Sequence, residues 1–379
     1  MYKYFLIFIS LIYATLSFAQ ILPPKEASPL NVKQIHSGHS LTDPLFNPWP
    51  GQYRYLVDDI LGGSFDNLGK STIPGSSMDF RWQNAPGYGD PDARHDIVEW
   101  ELLSITERVP LFYEGGNSQE WYLEGLQAQK ENLSLFANNA WNNGNDGNGA
   151  PTLLWTTWTN IDDSDGPWRE MLDIQGMEWE KMQDYANENR ANGAPPVYII
   201  PGHKMMARIY DDIQLNLVPD ITDISQFFSD NIHLNELGQY AVAMIHYACI
   251  YNTSPVGLTH ILLPDSPIRS PSPALATYLQ TIVWDEVINY SRTGIDPTAT
   301  SITTMGKEND FSIYPNPVRD LLYVKSKNNS SATNLEFTVF NSIGETVIQG
   351  NSSIINIQEL PVGGYFIEVG NQLMKFIKI

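Results

Sequence analysis

The stretch Gln34-Ile35-His36-Ser37-Gly38-His39-Ser40-Leu41-Thr42-Asp43 (residues 34–43) predicts a buried strand that runs into a glycine turn and then a serine. Downstream, strand-like and helix-like segments alternate as far as residue 250, which predicts an α/β domain with a parallel sheet and helices on its faces. Open sheets of this kind place their sites at the carboxyl ends of the strands. The Ser40 hydroxyl is therefore predicted to lie at such a site.

Hydrophobic periodicity outlines the other elements of this domain. Three segments rich in apolar and β-branched residues are predicted strands, namely residues 96–106, 152–157 and 197–200. Two segments with apolar residues at helical spacing are predicted helices, namely residues 121–140 and 235–250. The Asn- and Gly-rich residues 138–149 predict an exposed loop.

The periodicity ends near residue 288, so we place the α/β domain at residues 20–288 and a Thr-, Ser- and Gly-rich linker at residues 289–308. Residues 309–379 predict a small all-β sandwich. Its short strands and its turn are predicted at residues 321–324, 337–340, 365–369 and 343–345.

Charge and cysteine content exclude several classes of function. The formal net charge is −21, and residues 309–379 hold five Lys/Arg and six Asp/Glu, so nearly all of the excess acid lies upstream. An acidic surface repels phosphate backbones, which argues against a nucleic-acid partner. The single cysteine, Cys249, excludes an intramolecular disulfide and a cysteine-based zinc site, and its apolar surroundings predict a buried thiol.

The amino terminus has the pattern of a secretory signal peptide at residues 1–19. Lys3 supplies the positive charge, residues 4–16 are an apolar run, and Ser17-Phe18-Ala19 is a small-x-small cleavage site. Gln20 is then the first mature residue, and the protein is predicted to be exported. A retained amino-terminal anchor is the alternative.

A second motif, Ser229-Asp230-Asn231-Ile232-His233-Leu234-Asn235, precedes the predicted helix at residues 235–250. The spacing of Asp230 and His233 lets one tight turn bring the carboxylate to the imidazole. Such a carboxylate orients the ring, and the other ring nitrogen can then accept a serine proton. The alternative is a loop acid and a structural histidine ahead of a helix capped by Asn235.

Both motifs resemble the SGNH (GDSL-like) hydrolase family. Gly38-His39-Ser40-Leu41 is similar to its first block, with His39 where an Asp usually stands, and Asp230-Asn231-Ile232-His233-Leu234-Asn235 is similar to its last block. The resemblance implies a three-layer, flavodoxin-like α/β fold and hydrolysis without cofactor or metal. It assigns the nucleophile to Ser40, the general base and then acid to His233, and the orientation of the His233 ring to Asp230.

The family's oxyanion hole is matched only in part. Its second block contributes a glycine N–H, for which Gly75 is the candidate, and its third block contributes an Asn that this sequence lacks. Thr106 or Glu107 stands at the corresponding place, and Asn160 is a substitute from a neighbouring loop. A Thr hydroxyl can donate a hydrogen bond, whereas an ionised Glu would oppose an oxyanion.

Two further features are weighed as ligand sites. Most tryptophans of the middle segment are expected to pack in the core, but Trp158 follows a predicted strand, so we expect it to bind substrate at the rim of the active site. The acidic loop at residues 162–166 lacks the acids that an EF-hand requires at Ile161 and Leu172, so no metal is predicted.

The tail resembles the C-terminal sorting domains of type IX secretion cargo in Bacteroidetes. The motifs that carry the resemblance are Phe311-Ser312-Ile313-Tyr314-Pro315-Asn316-Pro317, Leu360-Pro361-Val362-Gly363-Gly364-Tyr365 and Met374-Lys375-Phe376-Ile377-Lys378-Ile379. The resemblance implies interaction with the type IX machinery, then release or attachment at the cell surface. A carbohydrate-binding sandwich is the alternative.

The sequence as a whole predicts a secreted serine esterase that removes O-acetyl or other small acyl groups from a polysaccharide. The substrate class rests on family resemblance and export. The predicted substrate is a polysaccharide or a small ester. One alternative is a lipase or acyltransferase that uses the same triad. Another is a non-catalytic surface protein that keeps the fold for glycan binding.

Overall fold

The computed structural model describes residues 22–46, 52–57, 67–87, 89–113, 119–262, 270–296, 311–315, 318–326, 335–341, 346–361, 363–369 and 372–378. The predicted signal peptide, most of the predicted linker and the predicted turn at residues 343–345 lie outside these ranges. Among the described residues, no helix combines the length and hydrophobicity that a membrane span requires.

A five-stranded parallel sheet forms the centre of the first domain, which confirms the predicted α/β class. Its strands are β1 Gln34–Gly38, β2 Leu68–Thr72, β3 Leu102–Ile105, β4 Thr152–Trp155 and β5 Tyr198–Ile200. The strand order is β2-β1-β3-β4-β5, which is the order of flavodoxin-like sheets. Because all neighbours are parallel, the loops after β1, β2, β3 and β4 emerge at one edge of the sheet.

Helices flank this sheet. They are α1 Gln52–Tyr55, α2 Met78–Gln83, α3 Gln119–Asn143, α4 Trp168–Glu188, α5 Gly202–Gln214, α6 Glu236–Tyr251 and α7 Pro273–Asn289. Helix α3 packs between α2 and α4, and α6 packs between α1 and α7. The sequence predicts one apolar face for α6, but neighbours on several sides bury nearly the whole helix. Burial also raises the pKa of the Cys249 thiol to about 12, as expected for a core cysteine.

Three predicted boundaries differ from the structure. Residues 96–99 form a 3-10 helix rather than a strand, because the Asp96 carboxylate accepts the Asp92 N–H and the chain turns before β3. Helix α3 continues to Asn143, into the predicted loop. The predicted linker begins at residue 289, yet residues 290–296 pack on the α/β domain, where Arg292 pairs with Asp184 at 2.6 Å. This domain therefore extends to residue 296.

The tail is antiparallel β structure, which confirms the all-β prediction. Its strands are β6 Phe311–Tyr314, β7 Leu321–Ser326, β8 Glu336–Phe340, β9 Thr346–Asn351, β10 Ile354–Asn356, β11 Gly363–Val369 and β12 Gln372–Lys378. They form a three-stranded sheet, β10-β7-β6, and a four-stranded sheet, β12-β11-β8-β9. Apolar side chains from both sheets, including Leu322, Val339 and Ile367, form one core.

Candidate active site

The turn after β1 carries Ser40 and is closed by a short hydrogen bond from the Thr42 N–H to the His39 carbonyl, 2.8 Å. Gly38 is required here, since a Cβ at this position would lie 2.0 Å from Thr42 Oγ1. The sharp turn leaves the Ser40 side chain only half buried at the carboxyl edge of the sheet, where the sequence places it.

His39 anchors this turn to the end of β3. Its Nδ1 accepts the Leu41 N–H at 3.3 Å, so Nε2 carries the proton and donates to the Glu107 carbonyl at 3.0 Å. Burial, assisted by the nearby Arg81 cation, lowers the pKa of His39 to about 4. His39 is therefore a neutral, buried anchor of the nucleophile turn.

The loop between residues 228 and 235 carries Asp230 and His233 and is ordered by its own hydrogen bonds. Asp230 Oδ1 accepts the N–H groups of Ile232 at 2.8 Å and His233 at 2.7 Å. The Asn235 side chain caps α6 by accepting the Leu237 N–H at 3.0 Å. Hydrogen bonds within the loop thus bring the carboxylate to the imidazole.

Ser40, His233 and Asp230 form a continuous hydrogen-bonded chain. His233 Nε2 lies 2.8 Å from Ser40 Oγ, and His233 Nδ1 lies 2.7 Å from Asp230 Oδ2. Desolvation raises the pKa of Asp230, but the backbone N–H groups of His233 and Ile232 and the His233 ring outweigh it and lower this pKa to about 2. Asp230 is thus ionised beside the ring at neutral pH. The arrangement can deprotonate the serine and stabilise the imidazolium that results.

The acid–base side of this chain is open to solvent. The side chains of His233 and Asp230 are 42% and 57% exposed, respectively. A bulky substrate can therefore approach the triad without displacing a covering element of the described chain.

Gly75 lies in a turn beside the nucleophile. The Ile73 N–H donates to the Gly38 carbonyl at 3.0 Å, which holds this turn against the end of β1. Gly75 adopts φ +66°, and a Cβ built on it would touch nothing, so its backbone faces open space. Within the described ranges, neither the Ser40 N–H nor the Gly75 N–H has a hydrogen-bond partner. Both are free to bind a substrate oxygen.

The other predicted oxyanion residues have their polar groups engaged elsewhere. Thr106 is fully buried and its hydroxyl donates to the Glu107 carbonyl at 3.3 Å. The buried Glu107 carboxylate accepts the Met78 N–H at 3.1 Å, and Asn160 Nδ2 donates to Asp165 at 2.8 Å. All three side chains are thus engaged in hydrogen bonds within the protein, and their place in an oxyanion hole stays a prediction.

Trp158 is not at the rim of the site, so its prediction as a substrate-binding residue is wrong. It is fully buried, and its ring packs edge-on against Trp155 and Phe228. Its Nε1 donates to the Ile232 carbonyl at 2.9 Å, one residue before His233. Trp158 therefore supports the acid–base loop from below, a role that no local motif signals.

The segment after β4 supplies more of this support. The Ile161 N–H donates to the Asn231 carbonyl at 2.8 Å, and Asn231 Nδ2 donates to Asp162 Oδ2 at 2.5 Å. Other carboxylates of the acidic loop likewise accept hydrogen bonds from nearby groups, as Asp165 does from Asn160. In the part of the chain that is described, no three His, Cys, Asp or Glu side chains converge as a metal site would require.

Comparisons with known proteins identify the tail. Residues 312–378 match the family described as "Secretion system C-terminal sorting domain". The tail therefore directs the protein to the type IX secretion machinery and to the cell surface or beyond, which confirms the predicted location.

The chain also resembles solved structures. One is a DUF4886 family protein from Bacteroides uniformis, with a TM-score of 0.44 and 13% identity over 68% of this chain and 95% of that protein. Another is a gut microbial diltiazem-metabolizing enzyme, with a TM-score of 0.40 and 14% identity over 62% of this chain and 49% of that enzyme. No curated protein sequence matches this chain.

Proposed function

We propose that the protein is a secreted serine ester hydrolase of the SGNH type that removes O-acetyl or other small acyl groups from a polysaccharide. The observation that carries the proposal is the hydrogen-bonded chain from Ser40 Oγ through the His233 ring to the Asp230 carboxylate. The similarity of both flanking motifs to the first and last SGNH blocks supports it, as does the flavodoxin-like strand order.

In this mechanism Ser40 Oγ attacks the ester carbonyl carbon while His233 Nε2 takes the hydroxyl proton. The tetrahedral intermediate collapses, the carbon–oxygen bond to the sugar breaks, and His233 returns the proton to the leaving alcohol. Water then attacks the acyl-Ser40 ester with His233 again as the base. The bond between the acyl carbon and Ser40 Oγ breaks, His233 returns the proton to Oγ, and the carboxylic acid leaves. Asp230 keeps the ring in the required tautomer throughout.

The charge that develops on the carbonyl oxygen needs hydrogen-bond donors. The free N–H groups of Ser40 and Gly75 are the donors that we assign to this role. Glu107 is excluded because its carboxylate can only accept while it is ionised.

The open position of the triad favours an acyl group carried by a large polymer. A long acyl chain gains about 0.8 kcal/mol for each methylene that it buries, which requires an apolar groove beside the serine. The exposure of His233 and Asp230 instead suits a shallow cleft that accepts a hydrated glycan. The sorting tail, which delivers the protein to the cell surface, is consistent with such a substrate.

The test compares wild type, Ser40→Ala and the control Ser291→Ala, which removes an exposed hydroxyl, on aryl esters of two to twelve carbons and on acetylated polysaccharides. Loss of a triad member typically costs about four to six decades in turnover. We expect Ser40→Ala to lose activity to that extent at unchanged stability, Ser291→Ala to match the wild type, and acetate to be the preferred acyl group.

Other outcomes point to other functions. A rate of hydrolysis that rises with the length of the acyl chain favours a lipase or acyltransferase on the same triad. Loss of activity with a chelator, restored by a divalent metal, argues against a side-chain nucleophile. Failure on every ester together with tight glycan binding favours a non-catalytic binding protein.

A further inference from the structure

Arg81 is a buried cation that joins three segments around the candidate active site. It lies on α2, and its side chain reaches back toward the carboxyl edge of the sheet. Its Nη1 donates to the Ser76 carbonyl at 2.8 Å and to Ser76 Oγ at 3.1 Å. Its Nε donates to Ser37 Oγ at 3.2 Å, and its Nη2 donates to the Thr106 carbonyl.

These partners are the supports of the proposed reaction site. Ser76 follows Gly75, Ser37 lies three residues before Ser40, and Thr106 follows the end of β3. A guanidinium presents its donors in a fixed planar fork, so it can hold three backbone segments at defined separations. A lysine in the same place has one point charge and cannot reproduce this geometry.

Glu107 places a buried carboxyl group in the same region. Its carboxylate accepts the N–H of Met78, three residues after Gly75, and the N–H of Arg108 at 2.6 Å. Burial raises the pKa of Glu107 above its ordinary value and outweighs the Arg81 charge, the two backbone N–H groups and the Arg108 charge, which lower it. His39, which contacts the Glu107 carbonyl, is neutral.

A buried, ionised carboxylate close to the Gly75 turn would oppose negative charge on a substrate oxygen. Burial lowers the pKa of Arg81 only to about 10, so Arg81 remains a cation at neutral pH. Its charge can therefore compensate Glu107 where solvent is excluded and charges are poorly screened.

We propose that Arg81 is a positioning residue of the active site, which fixes the Gly75 turn against the nucleophile strand and neutralises the field of Glu107 at the oxyanion site. This inference rests on the proposed ester hydrolysis. Arg81 does not contact the reacting atoms; it acts through the Gly75 N–H and through the ends of β1 and β3.

The test uses the full chain and five variants: Arg81→Lys, Arg81→Met, Glu107→Gln, the double variant Arg81→Met/Glu107→Gln, and Arg94→Met. Arg94 is the matched control, because it forms a largely buried ion pair with Asp92 and, within the described residues, makes no hydrogen bond to the Ser40 or Gly75 turns. Two rates are measured between pH 6 and 9: labelling of Ser40 by a fluorophosphonate probe and hydrolysis of an aryl acetate. Thermal unfolding reports which variants are folded.

We expect Arg81→Met to slow both rates about a hundredfold, the typical effect of losing one oxyanion donor, with KM changed less than threefold. Its rate should also fall at alkaline pH, because without Arg81 the Glu107 carboxylate ionises unopposed. The double variant should react at least about tenfold faster than Arg81→Met, and its rate should not fall at alkaline pH. Arg81→Lys should lie between wild type and Arg81→Met, and Arg94→Met should stay within threefold of wild type.

The inference is overturned if Arg81→Lys and Arg81→Met are folded and the probe labels Ser40 in them at a rate within threefold of the wild-type rate. It is also overturned if Arg94→Met loses as much activity as Arg81→Met at equal stability, because the effect would then be general packing. Failure of the wild-type protein to label at Ser40 is a separate result that refutes the proposed hydrolysis and, with it, the role of Arg81.

Discussion

The turn that carries Ser40 and the loop that carries Asp230 and His233 are built in opposite ways. The nucleophile turn continues a central strand and is held by the nearly fully buried His39. The acid–base loop lies at the surface, shaped by hydrogen bonds within the loop and by one buried tryptophan beneath it. Loss of the buried anchor His39 should therefore lower stability and activity together, whereas substitution of the exposed Asp230 should lower activity with little change in stability.

The largest expected effect is that of Asp230→Asn. An Asn oxygen can still accept the N–H groups that shape the turn, but its NH₂ group then faces His233 Nδ1. The ring must place its proton on Nε2, so it cannot accept the Ser40 proton. We expect turnover to fall by about three to four decades, with a change in unfolding free energy below about 1 kcal/mol.

Asp223→Asn is the matched control for this variant. Asp223 is an exposed carboxylate that caps a 3-10 helix by accepting the Ser225 N–H at 2.9 Å, outside the triad. Turnover of this variant should match the wild type. If Asp230→Asn keeps more than about a tenth of the wild-type rate, Asp230 has no role in the reaction.

The second prediction concerns the nucleophile turn and its buried anchor, His39. His39→Phe keeps a ring in the core but leaves the Glu107 carbonyl and the Leu41 N–H unpaired, at about 1–3 kcal/mol for each buried group. We expect the unfolding free energy to drop by the sum of these two penalties. Turnover should fall about a hundredfold, because the turn that carries Ser40 shifts. His95→Phe, at an exposed histidine, should change neither measurement.

The same variant has a pH signature. The pKa of His39 is about 4 in the folded protein, below that of a histidine in an unfolded chain, so acidification favours unfolding. Wild type loses this part of its stability as pH falls from about 6.5 to about 4, and none of it above pH 7. The stability gap between wild type and His39→Phe should therefore narrow over that interval in urea unfolding experiments. A constant gap would show that His39 titrates as it does in the unfolded chain.

The strength of the local hydrophobic pattern decides which elements of the fold the sequence predicts. Strands β1, β4 and β5 and helices α3 and α6 are apolar enough to show their periodicity, and all were found. Strand β2, Leu68-Gly69-Lys70-Ser71-Thr72, has one large apolar residue, and only its pairing with β1 makes it a strand. Residues 96–99 have the composition of a strand, but the chain turns there instead, and the Asp92 N–H donates to the Asp96 carboxylate.

In the candidate site, residues that stand in short motifs could be predicted, whereas residues held by contacts distant in sequence could not. Ser40, Asp230 and His233 stand in short motifs whose spacing reveals their arrangement. Arg81 could not be found this way, because its partners Ser37 and Thr106 lie 44 and 25 positions away in the sequence. The support role of Trp158 likewise depends on a contact across 74 positions.

A smaller effect should separate the two buried tryptophans near the acid–base loop. Trp158→Phe removes the hydrogen bond to the Ile232 carbonyl, whereas Trp168→Phe removes an equivalent bond to the Thr159 carbonyl, also 2.9 Å. Both variants lose similar volume and one donor, so their stabilities should fall alike. Only Trp158→Phe should lower turnover, by about tenfold, since the other hydrogen bonds to the loop remain. Equal turnover in the two variants would remove Trp158 from the support of His233.

The smallest predicted effect is the acid sensitivity of the loop itself. Hydrogen bonds hold the pKa of Asp230 at about 2, below its ordinary value near 3.8, so the folded state favours the carboxylate. This stabilisation is complete above pH 5 and declines as pH falls through 4 toward 2. Asp230→Asn has no such decline, so the stability difference between the two proteins should shrink between pH 5 and pH 3 in urea unfolding. Because the side chain is mostly exposed, we expect the change to stay below about 1 kcal/mol. A difference that stays constant would mean that the folded loop draws no stability from the charge of Asp230, and that Trp158 and Asn235 hold His233 in place without it.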